Sequence, residues 1–374
     1  MLKILFFIET LSGGGAEKVL IDLVNHMDQT RFDITVQTLW PSETGKKLAE
    51  GIRYKTVYRS ESRLNHYRMR FESGLGLTYR LHMKADYDIE CAYLEMGTTK
   101  ILAASSNKKS KKIAWVHCDL AVQMADVLDD FVKKATPQYS KYDRVVCVSE
   151  DVLHSFRTLF GDKPASCVLH NTIDDQMIRQ NAEMPLPDGI VKRRTTIVTL
   201  GRLTHQKAYD RLLKVHSRLI RDGFDYDLWI LGEGEDRQKL ENFINANNLQ
   251  DSVRLLGFKK NPYPFIKAAD FLVCSSRYEG FSTFVTEGLI LEKPIVTTDC
   301  TGMHELLGDS EFGLITENST EGLYMGIKRF LTDPGLVNEY ADRAALRGRD
   351  FTSAELTDTT ERFFEEVCAA GKKC

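Results

Sequence analysis

The stretch Glu279-Gly-Phe-Ser-Thr-Phe-Val-Thr-Glu287, with the run Asp270-Phe-Leu-Val-Cys-Ser-Ser276 before it, decides the fold of this chain's second half. The run predicts a buried strand, residues 283–291 predict a helix, and residues 280–282 form the turn between them. The first N–H groups of a helix have no partner within the helix, so the turn would favour an anion such as phosphate. Strand, glycine turn and helix are also ordinary α/β architecture, so both interpretations stay open for this segment alone.

Glu287 adds a second polar group to the same predicted helix. It follows Thr283 by four residues, so its carboxylate lies one turn, roughly 6 Å, further along the same face. There it could accept hydrogen bonds from ribose hydroxyls while the helix start binds phosphates. The segment therefore predicts a frame for a nucleotide sugar.

Two cations follow another predicted strand in the same half. Thr195-Thr-Ile-Val-Thr-Leu-Gly-Arg202 is a β-branched strand, and Lys207 comes just before a helical pattern. Open parallel sheets bind ligands at the carboxyl ends of their strands, where Arg202 and Lys207 would lie. Two fixed cations there suit a diphosphate leaving group, although most single Lys and Arg side chains are simply solvated.

Several motifs in a fixed order resemble the retaining glycosyltransferases of family four, which have the GT-B fold. They are Gly201-Arg-Leu with Lys207, Leu231-Gly-Glu-Gly, Leu256-Gly-Phe, Glu279-Gly-Phe-Ser with Glu287, and Pro294-Ile-Val, and Gly13-Gly-Gly-Ala-Glu17 and Val168-Leu-His-Asn171 match the same family. The resemblance covers nearly the whole chain. It implies two Rossmann-like, doubly wound parallel-sheet domains that face a central cleft.

The resemblance also implies roles for individual residues. Arg202 and Lys207 would bind the donor pyrophosphate, Glu279 would touch the transferred sugar, and Glu287 would bind the ribose. The backbone around Gly257 and Phe258 would meet the base. The remaining candidates for the donor site are the turn residues and the glycine loop, namely Gly280, Phe281, Ser282, Thr283, Gly14 and Gly15.

Length and composition fit this interpretation. A chain of 374 residues is longer than one hydrophobic core usually grows, so two domains are expected. The net charge of −3 gives no case for nucleic acid as a partner. The eight cysteines include no Cys-x-x-Cys pair and indicate reduced thiols of a cytoplasmic protein. The apolar start at Met1 predicts a first buried strand rather than a signal peptide.

Apolar strands alternate with helical segments, which predicts two parallel sheets. The predicted strands are residues 4–8, 34–39, 89–93, 113–116 and 145–148, then 197–200, 228–231, 253–256, 271–274 and 295–298. The Pro- and Gly-rich residues 183–189 predict a linker. We therefore expect an acceptor-side domain over residues 1–184, completed by a C-terminal helix over about 353–374, and a donor-binding domain over 190–352.

His117 ends a predicted strand of the first domain and is the candidate to interact with the transferred sugar; a strand-capping role is the alternative. Other polar residues follow first-domain strands, but a polar residue there is usually turn chemistry or a helix cap. Asp86-Tyr-Asp88 and Asp225-Tyr-Asp227 precede strands, away from the expected site, so neither is expected to bind a metal. Arg202, Lys207 and the helix start would stabilise the leaving group instead.

The predicted function is metal-independent transfer of a hexose, with retention of configuration, from a nucleotide diphosphate sugar, for which we expect a UDP-hexose, to a sugar hydroxyl of a lipid-linked or growing surface polysaccharide. Glu279 acts either as a sugar-binding group or as a nucleophile, since a two-step displacement also retains configuration. The alternatives are a catalytically silent nucleotide-sugar-binding partner and a GT-B epimerase. A dehydrogenase is disfavoured because the Gly13 loop is not Gly-x-Gly-x-x-Gly and the second strand ends at Leu39-Trp40-Pro41 without an acid.

Basic clusters in the first half predict contact with an anionic membrane, as in similar enzymes that reach a lipid-linked acceptor at the inner membrane face. A solvated surface is the alternative. The clusters comprise Arg59, Arg63, Arg68, Arg70, Arg80 and Lys84, and the run Lys108-Lys-Ser-Lys-Lys112.

Overall fold

A computed structural model describes residues 1–83, 86–187 and 189–370. It divides into two compact units, one of residues 1–173 with the residues from Ser353 onward, and one of Asp174–Thr352. Lys84, Asp188 of the predicted linker, Cys374 and the last four residues of the predicted C-terminal helix lie outside the described residues.

The first unit alternates strands with helices, as its apolar pattern predicts. Its elements are β1 Leu2–Ile8, α1 Gly15–His26, β2 Phe32–Thr38, β3 Arg53–Thr56, α2 Arg63–Gly74, α3 Thr78–His82, β4 Ile89–Ala92, α4 Gly97–Leu102, β5 Lys111–Val116, α5 Leu120–Gln123, α6 Leu128–Tyr139, β6 Arg144–Cys147, α7 Glu150–Phe160 and β7 Ser166–Val168, with short 3₁₀ turns at Glu43–Lys47 and Ala125–Val127.

The first sheet has the order β3-β2-β1-β4-β5-β6-β7, and its strands pair in parallel. The centre of this sheet is buried, since β1 is fully buried from Ile4 to Ile8. Strands buried on both faces carry continuous apolar runs, which is why β1 does not alternate. Because the strands are parallel, the loops that follow them all lie at one edge of the sheet.

The second unit repeats this plan with other lengths. Its elements are α8 Asp175–Ala182, β8 Thr196–Leu200, a 3₁₀ turn His205–Lys207, α9 Tyr209–Arg221, β9 Asp227–Leu231, α10 Arg237–Ala246, β10 Val253–Gly257, α11 Tyr263–Ala268, β11 Phe271–Cys274, α12 Thr283–Ile290, β12 Ile295–Thr298, α13 Met303–Leu307, β13 Leu314–Thr316, α14 Thr320–Thr332, α15 Pro334–Arg347 and a 3₁₀ turn Gly348–Asp350. The parallel sheet has the order β10-β9-β8-β11-β12-β13. Both sheets confirm the predicted α/β class.

The units divide about ten residues earlier than the linker prediction places the boundary. The division follows Ile173, because α8 packs against α11 and α12 of the second unit. Its buried residues Ile178 and Ala182 supply the apolar contact. A Pro- and Gly-rich segment thus connects α8 to β8 within one unit.

The last helix, α16 (Ser353–Ala369), belongs to the first unit and packs against α1. Phe364 lies edge-on to Phe6 of β1, with ring centroids 5.7 Å apart. Arg31 donates to the Glu361 carboxylate at 2.7 Å. Residues far apart in sequence therefore complete the first unit's core.

Among the described cysteines, Cys91, Cys118, Cys147 and Cys274 are buried. Within the same residues, no helix is both long enough and apolar enough to span a bilayer.

Candidate active site

A buried ion pair marks the carboxyl edge of the second sheet. The strands β8 and β11 are neighbours, so the loops that follow them lie side by side. Lys207 from the first loop donates through Nζ to Glu279 Oε1 of the second at 2.5 Å, and their side chains are only 19% and 7% exposed. The Ser276 hydroxyl donates to the same oxygen at 2.5 Å. The sequence predicted both charged residues for one site, and the structure joins them directly.

Burial of Lys207 acts to lower its pKa, but the Glu279 carboxylate beside it outweighs burial, so the net pKa lies above the ordinary lysine value. The ammonium is therefore charged throughout the neutral pH range. A buried pair of this kind is poor evidence for added stability, because both charges have lost their water. Such a pair can instead serve as a binding site for a charged ligand, which would contact one of the two charges.

Backbone contacts hold the two loops together around this pair. The Arg277 N–H donates to the Gln206 carbonyl at 2.8 Å, and the Gln206 side chain donates to the Tyr278 carbonyl at 3.1 Å. The Ser275 hydroxyl donates to the Lys207 carbonyl at 2.7 Å. These bonds fix the backbone that carries Lys207 against the backbone that leads to Glu279.

Two arginines that the sequence analysis did not single out support this framework. Arg277 forms a two-pronged ion pair with Asp210, at 3.1 and 3.2 Å. Arg211 is 8% exposed and donates to the carbonyls of Ser275 and Ser276, at 2.6 and 3.2 Å. The sequence signal that could have identified Arg211 is its position, since it is an arginine within the apolar pattern of α9.

The helix α12 begins where the sequence predicts, and Ser282 is its N-cap. The Ser282 hydroxyl accepts from the Val285 N–H at 3.5 Å and is 2% exposed. Ser282 therefore has a structural role in the turn, while the backbone amides of Thr283 and Phe284 open the helix. Gly280 and Phe281 are buried, and the Gly280 carbonyl packs against Gly302, where a Cβ atom would come within 2.3 Å of it.

Glu287 lies one turn into α12, as the spacing predicts, and is 3% exposed. The Tyr263 hydroxyl of α11 donates to its Oε1 at 3.4 Å. A buried carboxylate on the helix that carries the candidate phosphate site is suited to accept from ligand hydroxyls.

The glycines of the predicted motifs let three loops pack backbone to backbone. A Cβ at Gly232 would lie 2.0 Å from the Gly201 carbonyl oxygen, and one at Gly234 would lie 2.4 Å from the Leu203 oxygen. Gly257 has φ +71°, and its carbonyl accepts from the Gly232 N–H at 2.9 Å. No larger residue fits at Gly232 or Gly234 without moving the loops that carry Arg202 and Lys207.

Arg202 and Phe258 are placed at the same edge but are exposed. Phe258 is 65% exposed. The Arg202 side chain makes no ion pair or hydrogen bond with any residue that the structure describes, in contrast to Lys207. The structure therefore brings Lys207, Glu279 and the start of α12 together, and leaves Arg202 and Phe258 exposed to solvent at the same edge of the sheet.

The carboxyl edge of the first sheet is built differently. His117 follows β5, and its ring lies 4.9 Å from that of Tyr93. Burial lowers the pKa of His117 to about 3, so the imidazole is neutral at physiological pH. Its backbone N–H donates at 3.0 Å to the buried carboxylate of Glu95, which also accepts from the Cys118 thiol. Burial raises the pKa of Glu95.

The glycine loop after β1 lies at the same edge of the first sheet. Gly13 has φ +97°, Gly14 is the N-cap of α1, and Gly15 is its first residue. A Cβ at Gly14 would lie 2.2 Å from the Glu17 carboxylate. The Glu17 carboxylate thus packs against the backbone at Gly14.

The two Asp-Tyr-Asp segments lie at the amino ends of strands and are engaged by cations. Asp86 pairs with Lys3 at 2.9 Å, and Asp88 accepts from the Lys3 backbone N–H at 2.9 Å. Asp225 and Asp227 both pair with Arg194. The described residues include no cluster of three or more metal-ligating side chains.

Two family models match the chain and together cover most of it. A model described as "Glycosyltransferase Family 4" matches residues 13–177, and one described as "Glycosyl transferases group 1" matches residues 182–348. The chain belongs to the GT-B glycosyltransferases of family 4. The resemblance seen in the sequence motifs is thereby confirmed.

Two relatives each match part of this chain. An N-acetylgalactosamine-N,N'-diacetylbacillosaminyl-diphospho-undecaprenol 4-alpha-N-acetylgalactosaminyltransferase of Campylobacter jejuni is 34% identical over 58% of this chain and 59% of that protein. An uncharacterised glycosyltransferase of Methanocaldococcus jannaschii is 32% identical over 56% of this chain and 52% of that protein. The chain thus matches between half and three fifths of the length of these two relatives.

Two solved structures match almost the whole fold. The Anabaena protein HepE in complex with UDP-glucose is 17% identical, covers 98% of this chain and 100% of its own, and gives a TM-score of 0.78. Sucrose-phosphate synthase from Thermosynechococcus elongatus is 14% identical, covers 99% and 100%, and gives 0.80. These likenesses confirm the GT-B fold.

Proposed function

We propose that this chain transfers a hexose from a UDP-hexose to a sugar hydroxyl of a lipid-linked or growing surface polysaccharide. Transfer retains the anomeric configuration and needs no metal. The proposal places the enzyme in the cytoplasm, in peripheral contact with the inner membrane face. Family membership and the lipid-linked acceptor named for the Campylobacter jejuni relative support it.

The observation that carries the proposal is the buried Lys207–Glu279 pair beside the start of α12. A diphosphate at the helix start would meet the amides of Thr283 and Phe284 and the Lys207 ammonium. Lys207 would then exchange part of its contact with Glu279 for contact with phosphate oxygens. That exchange leaves Glu279 able to accept from hydroxyls of the transferred sugar.

Departure of the nucleoside diphosphate develops negative charge on its terminal phosphate. Lys207 and the opening amides of α12 are fixed charges and dipoles aimed at that position, which is the arrangement that stabilises a transition state without reorganisation. Exposed Arg202 lies beside them and would add a second cation once a ligand is bound. The chain's own residues thus supply the stabilisation that a divalent ion would otherwise provide.

Retention requires the acceptor hydroxyl to approach from the face that the leaving group vacates, or a two-step displacement. In the proposed route, a leaving-phosphate oxygen takes the proton of the acceptor hydroxyl, and the new glycosidic bond forms on the same face. Glu279 binds the sugar and stabilises positive charge at its reacting carbon. The competing route has Glu279 form a covalent glycosyl-enzyme.

The first unit would bind the acceptor side and the transferred sugar. The neutral His117 imidazole can donate one hydrogen bond and accept another, so it suits hydroxyl groups better than phosphates. Glu95 fixes the backbone of His117, and Gly14 and Gly15 offer backbone amides at the same edge of the sheet.

The direct test incubates the purified chain with a panel of UDP-sugars and short lipid-linked acceptors, with EDTA present, and determines the product's anomeric configuration by NMR. We expect transfer from one UDP-hexose, insensitive to EDTA, with the donor's configuration kept. Glu279→Gln should abolish transfer, whereas Glu233→Gln, an exposed glutamate at the same edge, should keep most of it. Nucleotide binding without any transfer would instead indicate a silent partner, and release of an epimerised UDP-sugar would indicate an epimerase.

A further inference from the structure

The helix α2 of the first unit exposes its apolar side and buries its polar side. Leu64, Tyr67, Phe71 and the adjoining Leu75 are 77, 70, 68 and 60% exposed. At 3.6 residues per turn these four positions fall within about 80° of one another, so they form one stripe along the helix. We call this set the α2 stripe. A surface helix of a water-soluble domain normally turns such a stripe towards the core.

The opposite side of α2 is fixed to the unit by polar contacts. The Glu72 carboxylate is 5% exposed and accepts from two residues outside α2, Tyr58 at 2.8 Å and His82 at 2.7 Å. It also accepts from Arg68, one turn earlier in the same helix, at 2.5 Å. The ring of His66 packs against Trp40 at a tilt of 42°, with ring centroids 4.6 Å apart. The helix is therefore anchored in this orientation, and the α2 stripe is not a core face left loosely packed.

Arginines border the α2 stripe on both sides. By the same helical spacing, Arg63 and Arg70 lie along one border and Arg68 along the other. Arg68 is paired with Glu72, whereas Arg63 and Arg70 are exposed and form no ion pair within residues 1–83, 86–187 and 189–370. The exposed Glu61 close to them lies 3.5 Å from His66.

We propose that the α2 stripe inserts into the interfacial layer of an anionic lipid bilayer. Leucine and aromatic side chains along one helix face, bordered by arginines, are the composition of helices that lie in the membrane interface. Arg63 and Arg70 would contact lipid phosphates while Leu64, Tyr67 and Phe71 enter the acyl boundary. The arginine charge selects an anionic lipid surface over a neutral apolar partner.

The position of α2 connects this surface to the candidate acceptor side. The helix follows the carboxyl end of β3, and Trp40, which contacts it, follows β2. Gly14 and His117 also follow strands of this sheet, so the α2 stripe lies at the edge that carries them. The other basic segment, Lys108–Lys112, precedes and begins β5 and so lies at the opposite edge. Of the two basic segments, only the one around α2 would thus bring lipid to the acceptor side.

This inference rests on the proposed function only to explain why the protein would bind a membrane. Its test needs neither donor nor acceptor. The full chain is sedimented with phosphatidylcholine vesicles and with vesicles that also contain phosphatidylglycerol. We expect binding to the anionic vesicles. Changing Leu64, Tyr67 and Phe71 together to Ser should lower the partition coefficient by roughly a hundredfold, and Arg63→Ala with Arg70→Ala by roughly tenfold.

Matched controls separate the α2 stripe from general surface apolarity and charge. Met325→Ser with Leu346→Ser removes two exposed apolar side chains from second-unit helices, 56 and 57% exposed, and Arg349→Ala removes an exposed arginine. Both should bind vesicles as the wild type does. Circular dichroism and UDP titration of every variant confirm that the fold and the donor site are unchanged.

Three results would overturn the proposal. The wild type could ignore anionic vesicles, the triple variant could bind them as well as the wild type does, or sedimentation velocity could show a dimer that the triple variant loses, which would make a second copy the partner. A chain that binds vesicles through the α2 stripe but transfers no sugar would keep this inference and refute the proposed function.

Discussion

The carboxyl edges of the two sheets have opposite electrostatic character. In the second unit, Lys207 and Glu279 are both buried and paired at 2.5 Å, so charge is kept in a poorly hydrated place. In the first unit, burial drives His117 and Glu95 towards their neutral forms. The same parallel-sheet plan thus prepares one edge for an ionic ligand and the other for hydroxyl groups. This difference matches a charged nucleotide donor and a sugar acceptor.

The largest expected effect comes from removing the charge that defines the second edge. Lys207→Met should lower transfer by about 10³-fold or more, because it removes a cation aimed at the leaving group and leaves the Glu279 carboxylate unpaired. Steady-state kinetics with saturating acceptor measures this. Lys214→Met, at an exposed lysine of α9, is the matched control and should change the rate less than twofold. Equal losses in both variants would contradict a specific role for Lys207.

The loops that carry Lys207 pack backbone to backbone, so we expect a large loss of stability when one of their glycines is replaced. Gly234→Ala places a Cβ 2.4 Å from the Leu203 oxygen and should destabilise the second unit by about 2–4 kcal/mol, because backbone must move. Gly74→Ala, where a Cβ meets nothing within 4 Å, should be neutral or slightly stabilising. Urea denaturation compares the two. A smaller cost for Gly234→Ala than for Gly74→Ala would show that the loops do not pack as described.

The neutral His117 at the edge of the first sheet predicts that the stability of the fold depends on pH. The pKa of His117 is lowered to about 3 in the folded chain and is about 6.5 when unfolded, so the unfolded state binds the extra proton first. The stability from this residue is complete above pH 6.5 and is lost as pH falls, by up to about 2 kcal/mol at pH 5. Denaturant titrations at pH 5 and 7.5 should show a smaller acid loss in His117→Gln than in the wild type.

His216 provides the control for that experiment. It is a buried histidine of the second unit, its pKa is also lowered to about 3 by burial, and it lies 2.8 Å from the Ser252 hydroxyl. His216→Gln should reduce acid sensitivity in the same way but leave transfer unchanged, whereas His117→Gln should also reduce transfer. If both variants kept full activity, the first edge would have no role in the reaction.

The smallest expected effect belongs to Arg202. Because its side chain is exposed, Arg202→Ala should leave thermal stability within experimental error and weaken UDP binding by about tenfold. Isothermal calorimetry and a melting curve measure the two quantities. A loss as large as that of Lys207→Met would show that the exposed arginine, and not the buried lysine, dominates phosphate binding.

The sequence predicted the central strands well because they are buried on both faces and carry continuous apolar runs. It did not predict β3, β7 and β13, which are short strands of three or four residues with mixed exposure. Their pairing depends on a neighbouring strand rather than on their own pattern. The domain boundary was displaced for a related reason, since α8 carries few apolar residues and its membership depends on contacts with α11 and α12.

The candidate site was predicted as a set of residues but not as a network. Spacing alone placed Glu287 one turn into α12, and the strand ends placed Lys207 and Glu279 at one edge. Ser282 stands directly before the predicted helix, which is the usual N-cap position. An arginine within the apolar pattern of α9 indicated that Arg211 has a special role, but not that it would bind the carbonyls after β11. The partners of Arg211 could not be predicted because they lie more than 60 residues away in sequence.

The central claim is that the buried charges of the second unit form a nucleoside diphosphate site. Calorimetric titration with UDP, GDP, ADP and NAD, with and without Mg²⁺, on the wild type and on Lys207→Ala and Glu287→Ala tests it most directly. We predict UDP binding that does not require Mg²⁺ and that both substitutions weaken. Binding of NAD in preference to UDP, or UDP binding unaffected by either substitution, would contradict the account.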